Sequence, residues 1–253
     1  MAGLSEGKLK RYERNILLTG VGVEGQQKLL ASKVLIVGMG GLGSPVALYL
    51  AAAGVGTLGV IDHDIVGLSN LQRQIIHNFN DVGRPKVQSA AEKINKLNMD
   101  LTVNTYNQPL TEISAMKIIP NYHLVIDATD NFATRQIINK ACLTLQIPFV
   151  YGGVLAMQGQ VMTFMPGNGP CFSCLFRRTP PDNAPTTSTV GILGAMAGVI
   201  GTLQAAEAIK ILLKIGQPLV GQLFAIDLLT MSSDKIDVRR DPSCPVCGKE
   251  NTN

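Results

Sequence analysis

Residues 34–44, VLIVGMGGLGS, constrain the fold most strongly, because they join a branched apolar run to a glycine-rich segment and then to helix-forming residues. Gly38, Gly40 and Gly43 fit the spacing GxGxxG, and Gly41 adds another glycine. Such a loop lets the backbone come close to an anion, and the following helix directs free N–H groups at it. The segment predicts a strand, a phosphate-binding loop and a helix. The alternative is that these glycines serve only tight packing.

Strand-like and helix-like segments alternate beyond this loop at the spacing of βαβ units, which predicts a parallel sheet with right-handed crossovers. The pattern changes after residue 159, where one strand, a Cys/Pro/Gly-rich loop, a long apolar helix and two closing strands are predicted. We therefore expect an α/β, Rossmann-like, mostly parallel nucleotide-binding sheet that continues into a differently wound C-terminal half. A single domain of residues 1–253 is predicted, with N-terminal helices in 1–32, the nucleotide-binding half in 33–155 and the second half in 156–253.

Charged residues beyond the second predicted strand indicate which nucleotide is bound. Asp62 ends that strand, where a carboxylate can accept hydrogen bonds from ribose hydroxyls, and NAD is the default expectation. Arg73 follows on a loop, and Arg84 and Lys86 lie at the start of a helix, where cations oppose the helix dipole. We interpret them as partners of an external anion. A triphosphate under attack needs such extra cations, whereas a redox dinucleotide does not. A solvated lysine without a role is the alternative.

The segment DATDN follows another predicted strand and offers a magnesium ligand. Asp130 lies just past the strand end at Asp127, and ligands of parallel sheets bind beyond the carboxyl ends of strands. Position alone leaves a second interpretation open, since Asp130 or Asn131 could simply cap the next helix.

Composition argues against nucleic acid and membrane partners. The net charge of +4 comes from dispersed basic residues, whereas nucleic-acid binding usually shows clustered ones. No charged residue occurs between Asp182 and Glu207, but the apolar part is short and glycine-rich, so we expect a buried helix. The start of the chain does not read as a signal peptide, and we expect a cytoplasmic protein.

Four of the five cysteines form two CxxC pairs, Cys171 with Cys174 and Cys244 with Cys247. Four thiolates suit a closed tetrahedral zinc site. The interval between the pairs exceeds that of a zinc ribbon, so disulfides or a redox motif stay open as alternatives from spacing alone. Cys142 is expected to be a small buried residue.

Several segments together resemble the ubiquitin-activating-enzyme-like adenylyltransferases of the MoeB/ThiF/HesA type. They are RYERNILL, VLIVGMGGLGS, AAAGVGTLGVIDHDIVGLSNLQRQ, VGRPKV, DATDN, the two CxxC pairs and GTLQAAEAIK, which cover nearly the whole chain. The resemblance implies an enzyme that uses ATP and magnesium to adenylate the C-terminal glycine of a small ubiquitin-like sulfur carrier ending in Gly-Gly, with release of pyrophosphate. Molybdopterin and thiamine biosynthesis, or another thiocarboxylate route, would use the same residues.

The resemblance also implies roles for individual residues. Asp62 would hold the ribose, Asn70, Arg73 and Lys86 would neutralise the phosphates, and Asp130 would hold magnesium. The nucleotide-binding set is Gly38, Gly40, Gly41, Gly43, Asp62, Ser69, Asn70, Leu71, Gln72, Arg73, Lys86, Asp130 and Asn131. The set expected to act in catalysis is Arg14, Arg73, Lys86 and Asp130.

Beyond the nucleotide, the resemblance implies a homodimer in which Arg14 reaches the neighbouring subunit's site. It assigns zinc to the four cysteines, and carrier and zinc binding to residues 156–253. Some relatives place a cysteine in the loop before the long helix, whereas residues 177–191 contain none, so we expect no thioester step. We expect no appended rhodanese domain after Asn253. The alternative functions are an NAD-dependent oxidoreductase, and an inactive binding module of the same fold in which zinc links the two CxxC pairs.

Overall fold

The centre of the sheet follows from short, branched, apolar segments that are buried on both faces, whereas its edge strands are polar and exposed. In the computed structural model, which describes residues 3–181 and 183–248, eight strands form one sheet in the order β3-β2-β1-β4-β5-β6-β7-β8. The strands are β1 (Lys33–Val37), β2 (Thr57–Ile61), β3 (Thr102–Tyr106), β4 (Leu124–Asp127), β5 (Phe149–Leu155), β6 (Gln158–Phe164), β7 (Gln222–Asp227) and β8 (Ser232–Asp237).

The type of strand pairing changes once across the sheet, from parallel to antiparallel. The pairs from β3 to β5 are parallel, and β5 with β6, β6 with β7 and β7 with β8 are antiparallel. This confirms the predicted mostly parallel α/β sheet with a differently wound second half. The change occurs after β5, because a hairpin through Ala156 replaces the crossover helix.

Helices cover both faces of the sheet. They are α1 (Glu6–Ile16), α2 (Gly22–Ala31), α3 (Gly43–Ala53), α4 (Lys86–Leu97), α5 (Glu112–Ile118), α6 (Phe132–Leu145), α7 (Phe172–Leu175), α8 (Thr187–Val190) and α9 (Gly194–Leu213). Alternate residues of β1 point to opposite faces: Val34 and Ile36 pack with α3, α4 and α9, whereas Leu35 and Val37 pack with α5 and α6. The result is a three-layer arrangement with two cores.

The long apolar helix α9 lies inside this arrangement. It has the length and composition of a membrane span, and half of its most apolar window is buried against the rest of the protein. Residues such as Ile200 and Ala208 are fully buried in the core that α9 shares with α3 and the sheet. These contacts agree with the predicted core helix. The segment before it, residues 191–193, is extended and pairs with Ala156 rather than extending the helix.

Candidate active site

A cleft of about 700 Å³ opens at the carboxyl ends of the parallel strands, where the sequence places its chemistry. The glycine loop after β1, the end of β2, the start of α4 and the DATDN segment after β4 line one end. The other end lies against β5, β6 and the loop before α8. The cleft thus has the size of a site for a nucleotide together with part of a second substrate.

Glycine is present at the four positions of the loop for different structural reasons. A Cβ on Gly43 would overlap the carbonyl oxygen of Gly38, and Gly38 itself has φ +95°. Gly40 and Gly41 line the cleft, and a Cβ on Gly40 would meet nothing closer than 3.6 Å. Their amide N–H groups make no hydrogen bond to the residues that the structure describes. Two free donors therefore stand at the N-terminal end of α3, as phosphate binding requires.

Asp62 leaves the end of β2 and reaches back to the glycine loop. Its Oδ2 accepts the N–H of Met39 at 2.7 Å, and its Oδ1 accepts the N–H of Asp64 at 2.8 Å. The carboxylate lines the cleft and is held in place by these two bonds. Each oxygen keeps a further lone pair that could accept from a hydroxyl group of a ligand.

Lys86 is buried rather than solvated. Its side chain is 7% exposed and its Nζ lies 2.7 Å from Asp64 Oδ2. The long loop after β2 folds back on its own start, because the N–H of Lys86 donates to the carbonyl of Asp64 at 3.0 Å. The hydrogen bond from Lys86 lowers the pKa of Asp64. Sequence reasoning missed Asp64, since only the return of the loop brings it beside the lysine.

Arg73 is the second cation of the cleft, and its Nη1 donates to the carbonyl of Ser69 at 3.1 Å. Arg84 does not line the cleft: it pairs with Asp81 at 3.0 Å and with Glu92, so these carboxylates take the place of the external anion predicted for it.

The residues just before Arg73 do not line the cleft, although they were expected to bind the nucleotide. Asn70 Oδ1 accepts the N–H of Gly67 at 2.9 Å, and the cleft lining does not include Ser69, Asn70, Leu71 or Gln72.

The structure distinguishes the two interpretations of the DATDN segment, in which Asp130 either binds a cation or caps the next helix. Asn131 caps α6, since its Oδ1 accepts the N–H of Thr134 at 2.9 Å. Asp130 is exposed to the cleft, and its carboxylate accepts no hydrogen bond and forms no ion pair with the described residues. Asn131 therefore performs the capping, and Asp130 remains available to a cation.

A buried polar cluster under this segment was not found from the sequence. Asp127 is fully buried, and burial raises the pKa of its carboxyl group. Its Oδ2 lies 3.7 Å from Nε of Arg135, whose Nη2 donates to the carbonyl of Thr129 at 2.7 Å. Arg135 also lies over the Tyr151 ring, 5.0 Å from the centroid. These contacts hold the turn that presents Asp130.

The far end of the cleft is less polar. Tyr151, Phe172 and Phe176 form a ring cluster there with centroids 4.9 to 5.7 Å apart. Prolines and threonines of the loop before α8 complete the lining, namely Pro180, Pro181, Pro185, Thr186 and Thr187. The described residues of this loop, 177–181 and 183–191, place no thiol on the cleft. Such a wall suits an extended peptide.

Arg14 lies outside the cleft of its own chain. It is an exposed residue in the last turn of α1, whose opposite face is fixed by the buried Tyr12. Leu17 and Leu18 follow and are also exposed. The position is open to a second molecule.

The four cysteines of the two CxxC pairs come together beside the short helix α7, which begins directly after Cys171 and contains Cys174. The Sγ atoms of Cys171 and Cys244 are 3.7 Å apart, those of Cys174 and Cys247 are 3.4 Å apart, and those of Cys171 and Cys174 are 3.9 Å apart. A tetrahedron of thiolates with bonds of about 2.3 Å to zinc has sulfur separations of about 3.8 Å. The donor set and spacing fit zinc, and all four are free thiols. Cys142 is buried, as expected.

The ThiF family model matches residues 12–246. A sulfur carrier protein adenylyltransferase of Thermus thermophilus is 45% identical over 97% of this chain and 93% of its own length. A SAMP-activating enzyme E1 of Haloferax volcanii is 43% identical over 97% and 91%. An adenylyltransferase and sulfurtransferase MOCS3 of Arabidopsis thaliana is 44% identical, with 97% of this chain matching 53% of that protein.

A crystal structure of Escherichia coli MccB with ATP is similar in fold as well, with a TM-score of 0.82 and 25% identity over 94% of this chain and 73% of that one. The glycine loop, the strand order and the length of the family match agree with one another. The chain belongs to the ThiF family.

Proposed function

We propose that this protein uses ATP to adenylate the C-terminal carboxylate of a small ubiquitin-like sulfur carrier protein, forming an acyl adenylate and pyrophosphate. The observation that carries the proposal is one cleft with two different ends. One end offers free N–H groups, Lys86 and Arg73, and the other offers an aromatic wall of Tyr151, Phe172 and Phe176 with Arg135 over the Tyr151 ring. The relative named as a sulfur carrier protein adenylyltransferase supports the same reaction.

Different residues are proposed to contact different parts of the nucleotide. The N–H groups of Gly40 and Gly41 cradle phosphate oxygens, and Asp62 accepts from the ribose hydroxyls. Lys86 and Arg73 lower the charge of the α-phosphate, so that a carboxylate can approach it, and they stabilise the charge that moves onto the leaving pyrophosphate. Asn70 contributes as a polar group beside Arg73, and Ser69, Leu71, Gln72 and Asn131 support the same pocket as loop neighbours.

Asp130 is the group that would hold magnesium. Its carboxylate is exposed, free of internal partners among the described residues and located at a strand end, which suits a hard cation with oxygen ligands. Magnesium bound there would supply charge neutralisation on the phosphates.

The carrier is proposed to end in Gly-Gly and to lay its last residues between β5, β6 and the loop before α8. Residues without side chains would let an extended tail pass the Tyr151–Phe172 wall and reach the phosphate. Since the loop before α8 supplies hydroxyls but no thiol, the acyl adenylate is the product that leaves, and sulfur comes from a separate donor. Molybdopterin, thiamine and other thiocarboxylate routes all need this product, and a cytoplasmic location suits each of them.

Pyrophosphate exchange tests the proposed reaction. Labelled pyrophosphate should enter ATP only when the cognate carrier is present, and the carrier should gain the mass of AMP. A carrier lacking its last glycine is the matched control and should support no exchange. Exchange that ignores the carrier would contradict the proposal. Hydride transfer to NAD with no response to ATP would instead support the oxidoreductase alternative, and normal turnover by Asp130→Ala would remove Asp130 from the reaction.

Zinc at the four cysteines is proposed to be structural. It would fasten the C-terminal segment, residues 240–248, to α7 at the end of the carrier-binding half. We expect one zinc per chain by elemental analysis, and Cys244→Ser should lose the metal and lower the thermal midpoint, whereas Cys142→Ser should retain the metal. A metal-free protein with an unchanged midpoint would contradict this role.

A further inference from the structure

Met39, in the middle of the glycine loop, has both of its backbone polar groups held by side chains. Its N–H donates to Asp62 Oδ2 at 2.7 Å, and its carbonyl oxygen lies 3.1 Å from Nε2 of His77. The next two amides, those of Gly40 and Gly41, have no hydrogen-bond acceptor among the described residues. The loop is thus fixed just before the groups that face the cleft.

His77 links this loop to the helix that begins with Lys86. The side chain is buried, and its Nδ1 lies 2.8 Å from Oγ of Ser89, one turn into α4. A carbonyl oxygen only accepts, so Nε2 carries the hydrogen, and Nδ1 accepts from the Ser89 hydroxyl. Lys93 Nζ donates to the same hydroxyl at 3.2 Å.

A neutral His77 imidazole matches its two hydrogen-bond partners, the Met39 carbonyl and the Ser89 hydroxyl. Burial lowers the pKa of His77, and the charges of Lys86 and Lys93 act in the same direction against the opposing effects of Asp81 and the Met39 carbonyl. In the neutral form with hydrogen on Nε2, one nitrogen donates to the loop and the other accepts from the helix. Neither nitrogen needs water or a further partner.

The direction of the Met39 carbonyl determines the direction of the Gly40 amide. The two belong to one planar trans peptide, in which the C=O and N–H bonds point in opposite directions. A peptide next to glycine rotates easily, because glycine tolerates many backbone conformations. With the carbonyl held by His77, the N–H of Gly40, a residue that lines the cleft, has its donor direction fixed.

We propose that His77 is a positioning residue for nucleotide activation: it holds the Met39–Gly40 peptide so that the Gly40 N–H faces the phosphates, and it fixes the glycine loop against the helix that carries Lys86. This inference rests on the proposed adenylation. It assigns His77 no contact with substrate. Its effect should therefore appear in the handling of ATP and not in carrier affinity.

Three substitutions of His77 separate positioning from packing. Glutamine can place an amide donor where Nε2 lies, asparagine is too short to reach the Met39 carbonyl, and leucine has no donor. We expect His77→Asn and His77→Leu to lower kcat/KM for ATP in pyrophosphate exchange by about tenfold or more, because one oriented donor is lost. His77→Gln should stay within about threefold of the unmodified protein, and KM for the carrier should be unchanged in all three.

A remote buried amide serves as the control for stability. Asn98 donates to Tyr12 Oη at 2.8 Å and to the Ala51 carbonyl at 2.9 Å, away from the cleft. Asn98→Ala should lower the midpoint of unfolding and leave kcat/KM for ATP unchanged. Equal losses in His77→Gln and His77→Asn, or normal kinetics in His77→Leu, would overturn the proposal.

An NMR readout separates this inference from the proposed reaction. The ¹⁵N–¹H resonance of Gly40 should shift on addition of ATP in the unmodified protein and in His77→Gln, and should not shift in His77→Asn. No exchange with any carrier would refute adenylation, yet the Gly40 resonance would still decide whether His77 orients the loop. A Gly40 shift in all three proteins would refute the role of His77 while leaving adenylation intact.

Discussion

Gly40 and Gly43 lie three residues apart in one loop, yet the fold needs them for different reasons. Gly43 has no space for a side chain because the carbonyl of Gly38 fills it, whereas Gly40 faces the open cleft. One glycine is therefore a requirement of folding. The other keeps the cleft clear for a ligand.

Alanine substitutions should separate these two roles. Gly43→Ala should lower the free energy of unfolding by about 3 kcal/mol or more, because backbone must move. Gly40→Ala should stay within about 0.5 kcal/mol of the unmodified protein, since its φ is negative and its Cβ has room. We expect Gly40→Ala to weaken ATP binding about tenfold, since the methyl group obstructs a charge-assisted hydrogen bond. Urea unfolding and calorimetric titration measure the two effects, and normal ATP binding by Gly40→Ala would place the phosphates elsewhere.

Lys86 and Asp64 form an ion pair whose two members are expected to matter unequally. The Lys86 side chain is 7% exposed, whereas that of Asp64 is 53% exposed, so water can replace the lysine as the partner of Asp64. Lys86→Met should reduce the exchange rate about 100-fold or more, because it removes a charge that faces the phosphates. Asp64→Asn should reduce it less than about tenfold, since ATP itself then neutralises Lys86.

A lysine on the same helix provides the control for this pair. Lys96 is exposed in the last turn of α4, and Lys96→Met should leave the exchange rate unchanged. If Asp64→Asn reduced the exchange rate as much as Lys86→Met, the reaction would require the intact ion pair. The charge of Lys86 on the phosphates would then not explain the loss.

At the scale of elements, the loop between β2 and α4 is held by a network around one carboxylate. Asp81 is buried and pairs with Lys93 and with Arg84, and its Oδ2 accepts the N–H of Asn78 at 2.8 Å. Burial alone raises the pKa of Asp81, but the hydrogen bonds from Lys93 and Asn78 outweigh it and lower the pKa to about 2. This network fixes the start of α4 and with it Lys86.

The stability that Asp81 contributes should depend on pH in one direction. The carboxylate ionises near pH 3.8 in the unfolded chain and at about 2 in the folded one. The contribution is fully present above the unfolded value and is lost as pH falls through the folded value. Asp81→Asn should therefore be less stable than the unmodified protein at neutral pH, and the difference should shrink as pH falls from about 4 towards 2. Urea unfolding across this range measures it, with the exposed Asp100→Asn as a control that shows no such trend.

At the scale of the whole molecule, the parts that sequence predicted are those set by local patterns. The parallel strands and the glycine loop follow from apolar runs and turn residues along the chain. The position of Asp64 beside Lys86 and of Arg135 over the Tyr151 ring depends on how separate segments return to one place. No spacing along the chain encodes those contacts.

The resemblance to the family also predicts a feature that a single chain cannot show, namely an arginine that acts in the cleft of a second copy. Arg14 is exposed and does not line the cleft of its own chain, and the exposed Leu17 and Leu18 follow it. A catalytic role for Arg14 therefore requires a second copy of the chain, docked so that α1 of one protomer reaches the cleft of the other. Exposed apolar residues next to the arginine are typical of such a contact.

Mixing two inactive variants tests this arrangement. Arg14→Ala and Asp130→Ala should each lose exchange activity as homodimers, because each site lacks one essential group. If Arg14 acts in trans, a mixed dimer contains one site with both groups intact and one that lacks both. Random reassortment should then restore about one quarter of the unmodified activity. The same mixture should stay inactive if Arg14 acts within its own chain, and Lys86→Met mixed with Asp130→Ala should stay inactive in either case, since both residues line the same cleft of one protomer.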